Sequence, residues 1–258
     1  MVKYMASKEE LKRILKELKS KENLASIEEK ARLLLRDVDP ETLSLVGQEL
    51  MAEGFDPEEF RRLCEIHLKA ITIRREDNEV GSAHPVSILK AEHEVILNNL
   101  KSLEKIVIRL RSNIGLDQLC EELKKLEPIL ELLLEAESHH QREEKSLFPR
   151  LEERGVTGPP NIMRLEHEDL RARKKALKNL LDERNALDHI YLINKVNELG
   201  TYIAFTLRDH IYKENNILYP LALKIIPENE WDRIREEFDA IGYCCFTPEI
   251  KVQSRHRH

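Results

Sequence analysis

Apolar residues recur at three- and four-residue spacing along the first 77 residues, with charged residues between them, so each segment presents one apolar face of a helix. Start signals divide this region into four short helices. Ser7 with Glu10 and Ser26 with Glu29 form capping-box pairs, and Asp39-Pro40 and Asp56-Pro57 each set a cap before a proline at the first helical position. Gly54 closes the helix begun at Pro40, and the fourth helix runs to about Arg75. Residues 78–84 are polar, contain glycine and read as a linker. Longer helices follow. The pattern predicts them over 85–113, stopped by Gly115; over 116–153, bent at Pro128 and stopped by Gly155; over 161–184; and over 188–226, with Pro220 kinking its last part. A shorter helix over 228–240 ends at Gly242. Four long helices with short connections predict an all-α, up-down-up-down four-helix bundle over 85–227. It is preceded by a domain of short helices over 1–77 and followed by a helix and tail over 228–258.

Composition agrees with helices. Charged residues make up 35% and aromatics 5% of the 258 residues, with only 8 glycines. The net charge is −6, which speaks against a nucleic-acid surface. No apolar run is long enough to span a bilayer, and the N-terminus lacks the apolar core of a secretion signal. A cytoplasmic location with no membrane and no nucleic-acid partner is the expectation. The four cysteines, Cys64, Cys120, Cys244 and Cys245, show no metal-type or disulfide spacing. Cys64 and Cys120 read as buried structural thiols.

The chemistry lies in histidines and glutamates of the bundle. The second long helix contains His140 and Glu144, and the fourth contains His210 and Glu214, each pair four residues apart and therefore on one helix face. The first and third long helices add His93 and His167. Ligands from four helices must share one height. At about 1.5 Å per residue, His93 and His167 lie roughly 12 and 9 Å from the starts of their helices. His140 lies roughly 20 Å from the end of its helix, and His210 roughly 15 Å from the proline near the end of its own. In an antiparallel bundle those ends coincide. Four imidazoles and two carboxylates, with positions left open, suit iron; manganese and zinc also fit the donor types. His139 and Glu143 form a second pair at the same spacing, 100° around the helix from His140 and Glu144. The two histidines cannot face the core equally, and His140 is preferred. His84 reads as a helix-start residue or a ligand reaching in from the linker. His67 reads as a packing residue, and Trp231, Tyr202, Tyr212 and Tyr219 likewise.

Two segments, HHQREEKSLFPRLEERG from His139 and HIYKENNILYPLAL from His210, resemble the second- and fourth-helix signatures of hemerythrin-like (HHE cation-binding) domains. The loop GVTGPP at 155–160 is similar to one in that family. DVDPETLSLVGQELMAEGFDPEEFRRLCEIH resembles a helical domain of unknown function that often precedes such bundles. The resemblance implies a di-iron centre that reacts with oxygen, nitric oxide or other small oxidants. Its ligands would be His93, His140, Glu144, His167, His210 and Glu214, with the two glutamates bridging two Fe ions. Phe148, four residues after Glu144, supports that register. Oxygen carriers of the family have a second histidine on the third helix where this chain has Arg171, which argues against a carrier. The leading expectation is a protein that senses or handles oxygen, nitric oxide or redox state, with a protein partner reached through residues 1–77. The alternatives are a di-iron enzyme for nitric oxide detoxification or iron–sulfur cluster repair, and a helical interaction module stapled by a structural metal.

Overall fold

The computed structural model describes residues 80–112 and 115–249, together with Arg13, which is helical. The four short helices and residues 78 and 79 of the linker expected from the sequence otherwise lie outside the described residues, as does His67. The described chain forms helices and turns, with no strand. Helix α1 spans Pro85–Leu110. The second bundle helix is segmented: α2, Leu116–Glu135; α3, Glu137–Arg142; a π-helical turn, Glu143–Leu147; and α4, Phe148–Glu152. Helix α5 spans Gly158–Asp182. The fourth bundle helix comprises α6, His189–Lys213, a π-helical turn, Glu214–Leu218, and α7, Tyr219–Ile225. Helix α8, Trp231–Ile241, follows a 3-10 turn at Glu228–Glu230.

Helix α1 packs on α2 and α6, and α5 packs on the same two, so the four long helices close a square. Three layers stack along its axis. The larger apolar layer sets Ile96, Leu100, Leu103 and Val107 of α1 among Leu126, Leu130, Leu170, Leu177, Ile203 and Leu207 of the other three. The smaller holds Val86, Leu89, Leu147, Phe148, Leu151, Met163, Leu218 and Tyr219, closed over by Trp231, Ile234 and Phe238 of α8. Between them lies a buried polar layer: Glu92, His93, His139, His140, Arg142, Glu143, Glu166, His167, His210 and Glu214. Burying charge between two oily layers is unfavourable unless every charge finds a partner. The sequence accordingly gathers polar residues at core positions of each bundle helix near one height.

The second bundle helix runs through Pro128 as one element and is interrupted at Ala136 instead. Both π turns have one cause. Phe148 N donates to the carbonyl of Glu143 and Tyr219 N to that of Glu214, each bond spanning five residues rather than four. Pro149 and Pro220 follow immediately. A proline offers no N–H and its ring crowds the carbonyl four residues earlier. The chain widens one turn ahead of each proline, and the helix then continues with the proline in its first turn, where no N–H is needed. Pro220 therefore acts through a widened turn at the glutamate. Cys120 is exposed, contrary to the sequence expectation. Leu119, Leu123 and Leu126 carry the buried face of α2, and Cys120 stands about 100° away from Leu119.

Candidate metal centre

Each bundle helix delivers its part of the polar layer from near the same end. Helix α1 gives Glu92 and His93; α3 and its π turn give His139, His140 and Glu143; α5 gives Glu166 and His167; α6 and its π turn give His210 and Glu214. Three groups of donor atoms converge: His140, His167 and His210; His93, His139 and Glu214; and Glu143, His167 and Glu214. All their members are buried.

Glu214 joins two of these sets. Its Oε2 lies 3.1 Å from His93 Nε2, and its Oε1 lies 2.9 Å from His210 Nε2 and 3.6 Å from His167 Nε2. Glu143 Oε2 lies 3.6 Å from both His139 Nε2 and His167 Nε2. Its other oxygen accepts a hydrogen bond from the Tyr219 hydroxyl at 2.8 Å. Both carboxylates thus sit between a two-imidazole side, His93 and His139, and a three-imidazole side, His140, His167 and His210.

The outer edges of the rings fix which nitrogens face inward. His139 Nδ1 is 2.7 Å from Glu92 Oε2, His167 Nδ1 is 2.7 Å from Glu144 Oε1, His210 Nδ1 is 2.8 Å from Glu166 Oε2, and His93 Nδ1 is 2.9 Å from Asn215 Oδ1. A carboxylate or amide oxygen only accepts, so each Nδ1 carries the hydrogen and each ring turns its Nε2 inward, where a metal would use its lone pair. Those lone pairs face each other, His93 against His139 at 3.1 Å and His167 against His210 at 3.0 Å. Lone pairs this close repel unless a cation lies between them. Glu143 Oε2 and both oxygens of Glu214 are buried without a hydrogen-bond partner. The donor set therefore fits metal cations. In the metal-free chain, burial would lower His210, but Glu214 and Glu166 outweigh it and raise the ring to about 9. Burial, with the charge of Glu214, pushes Glu143 well above the usual carboxylate range.

Each outer carboxylate has its own cation. Arg142 Nη2 lies 2.6 Å from Glu92, Lys213 Nζ 2.5 Å from Glu166 and Arg171 Nη2 2.9 Å from Glu144. Burial would raise Glu92, but His139 and Arg142 hold it down at about 2.

Of the residues singled out from sequence, the structure brings together His93, His140, His167, His210 and Glu214. Glu144 is half-buried and lies outside the three groups, on the far side of His167, shared with Arg171. The carboxylate that the second helix places among the imidazoles is Glu143, beside His139 and His167. From sequence, His139 and His140 are expected not to face the core equally, with His140 preferred; the two are buried alike. Successive residues 100° apart straddle the inward direction. His139 turns toward α1, and His140 stacks on His167 with ring centroids 3.9 Å apart. His84 is the N-cap of α1, its Nδ1 accepting from Val86 N at 3.2 Å, with its ring against Trp231. Tyr219, read as packing, is bonded into the layer. A signal for Glu143 does exist in the chain. His139, Glu143, Phe148 and Pro149 have the same spacing as His210, Glu214, Tyr219 and Pro220, each glutamate standing six residues before its proline.

Comparison with known families agrees with this geometry. Residues 84–222, more than half of the chain, match the hemerythrin HHE cation binding domain. Residues 11–76 match a family of unknown function (DUF438). No curated protein matches. The match covers the helices that carry the buried histidines and carboxylates, and the chain belongs to the hemerythrin HHE cation-binding family.

Proposed function

We propose that this chain is a non-haem di-iron protein that senses or handles oxygen, nitric oxide or redox state. The observation that carries the reading is Glu214, whose two oxygens face two different imidazole sets. One carboxylate serving two sets calls for two ions side by side, and a single oxygen of Glu143, Oε2, also stands between the two sets. His93 and His139 would hold one ion, and His140, His167 and His210 the other. Two imidazoles on one side and three on the other, with the shared carboxylates, leave coordination positions open. When bound, the pair of ions supplies reversible redox change and a place for a small ligand.

The chain's own groups set the conditions there. Outer acceptors on four rings turn their Nε2 atoms toward the centre and fix their planes. Arg142, Lys213 and Arg171 neutralise the outer carboxylates, so the central negative charge is that of Glu143 and Glu214. Tyr219 orients Glu143, and its hydroxyl lies 3.5 Å from His93 Nε2, on the side with fewer imidazoles. The apolar layer of Phe148, Leu151, Leu218 and Phe238 keeps bulk water from that face. Arg171 stands where oxygen carriers resembling this chain place a histidine, and it is held by Glu137 and Glu144. His140 supplies the third imidazole instead, which favours sensing or handling over carriage.

Metal analysis of protein purified without oxygen and then exposed to it tests the reading. About two irons per chain, with charge-transfer absorption appearing on oxidation, is the expected result. Zinc alone, or no spectral change after iron is supplied, would reduce the centre to a structural staple. Rapid turnover of nitric oxide by the reduced protein would shift the assignment to an enzyme.

A further inference from the structure

Gly242, at φ 95°, ends α8 in a backbone conformation that glycine adopts freely, and the chain turns back across the bundle. The returning segment, residues 243–247, lands on the groups that support one ligand of the centre, His139. Cys244 Sγ lies 3.1 Å from Ser138 Oγ, the neighbour of His139 in sequence. Arg142, which pairs with Glu92, also reaches Cys244 Sγ at 3.7 Å, and the Tyr243 ring covers its guanidinium at 4.9 Å. Thr247 Oγ1 donates to Glu92 Oε1 at 2.5 Å, and Glu92 holds His139 Nδ1. A turn bond from Thr247 N to Cys244 O ties the two ends of the strap together. Cys244 is buried, whereas Cys245, its immediate neighbour, is exposed.

We propose that Cys244 and Cys245 form a reversible thiol–disulfide site that senses hydroperoxides and, when oxidised, releases the strap from the Glu92–Arg142 support of His139. The inference rests on the metal-binding reading above. Adjacent cysteines are about 3.8 Å apart at Cα across a trans peptide, shorter than an ordinary disulfide takes. The resulting ring is strained and readily reduced, as regulatory disulfides are. Cys244 Sγ starts buried against Ser138 and Arg142, whereas Cys245 starts exposed. Closing the S–S bond therefore withdraws Cys244 Sγ from Ser138 and Arg142. A pocket of about 330 Å³ lined by Ser87, Ile88, Ala91 and Thr247 lies beside the strap, so Thr247 can leave Glu92 without displacing packed core.

The chemistry balances. The exposed Cys245 sulfur attacks the O–O bond of the hydroperoxide, gains one oxygen as a sulfenic acid and expels alkoxide or hydroxide, which takes up the thiol proton. Cys244 then attacks the sulfenic sulfur; the S–S bond forms, the S–OH bond breaks, and the hydroxyl leaves as water with the Cys244 proton. Two thiols are oxidised by two electrons and one hydroperoxide is reduced. A thiol reductant reverses the reaction.

The test uses the full chain with Cys64→Ser and Cys120→Ser, loaded with zinc so that only thiols respond to the oxidant. Zinc content of the reduced protein checks the metal reading by itself. Hydrogen peroxide is then added, peptides are mapped by mass, and zinc loss to a chelator is timed. The expected result is a mass loss of about 2 Da on the peptide holding residues 244 and 245. Zinc release should rise about 10–100-fold, the usual effect of losing an outer partner of a ligand. Dithiothreitol should reverse both, and Cys245→Ser should abolish both. In the metal-free chain, hydrogen exchange at residues 138–142 and 243–247 should rise on oxidation, so the strap is tested even if zinc does not bind. A disulfide that leaves zinc release and exchange unchanged, or no disulfide between these residues, overturns the proposal.

Discussion

Glutamine at position 143 and glutamine at position 144 are near-identical changes with opposite expected weight. Glu143 is fully buried, with one oxygen on Tyr219 and the other free between His139 and His167. Glu143→Gln keeps the shape and removes a negative charge shared by both proposed ions. At about 2.1 Å from a divalent ion and an effective dielectric of about 20, the gross attraction is on the order of 15 kcal/mol. Desolvation of the carboxylate removes several kcal/mol per ion from that. Removing one partner of a buried charge pair costs about 3–5 kcal/mol, which is roughly 10²- to 10⁴-fold in affinity for the second ion. Glu144→Gln retains an amide oxygen to accept from His167 Nδ1, so its effect is that of an outer partner, about tenfold. Chelator competition on anaerobic protein, with circular dichroism to confirm helicity, separates the two. If Glu144→Gln loses more metal than Glu143→Gln, the assignment of Glu143 to the centre is wrong.

Three further outcomes follow from the same geometry. Tyr219→Phe strips the donor from Glu143 Oε1 inside the core and should destabilise the metal-free protein by about 1–3 kcal/mol in urea unfolding; an unchanged midpoint would show that the bond contributes nothing. Lys174 is buried with its ammonium on the Leu133 carbonyl at 2.8 Å, and burial lowers it to about 8. The unfolded chain therefore binds more protons between pH 8 and about 10.5, the ordinary lysine value, and this residue's contribution is complete above 10.5 and lost as pH falls to 8. Wild type should gain stability over Lys174→Met by at most about 3 kcal/mol across that window, and parallel pH profiles would refute it. Gly200→Ala places a Cβ 2.7 Å from Val107 Cγ2, where α6 meets α1. Crowding of about 1–3 kcal/mol should exceed the helix-propensity gain of about 1 kcal/mol, and a stabilised variant would show that the helices can separate.

Much of the centre is legible without any fold. His93, His167, His210 and Glu214 emerge because i, i+4 spacing puts side chains on one face and equal distance from helix ends puts them at one height. The bundle itself is legible for the same reason, through the lengths of the apolar stripes and the glycines and prolines between them. Glu143 is missed when the second helix is read with uniform α-helical geometry and its register taken from Phe148. The π turn ahead of Pro149 shifts the ladder by one residue, and the spacing to Pro149, matched by that of Glu214 to Pro220, marks Glu143 as the counterpart of Glu214. Cys120 is misjudged because one helical position separates a buried face from an exposed one.

Local chemistry determined by the sequence alone includes where helices start and stop, which faces are apolar, and which residue types can donate to a metal. These depend on neighbours a few positions apart. Tertiary structure decided what depends on residues far apart in the chain. The acceptors from Glu92, Glu166, Glu144 and Asn215 set the tautomers of rings 23 to 122 residues away. The room for both His139 and His140 comes from α1 and α5 approaching on either side. The strap of residues 243–247 reaches Glu92 across 155 residues of chain. No local pattern encodes such pairings, because a side chain's partner is chosen by how whole helices pack, and packing is a property of the complete apolar core.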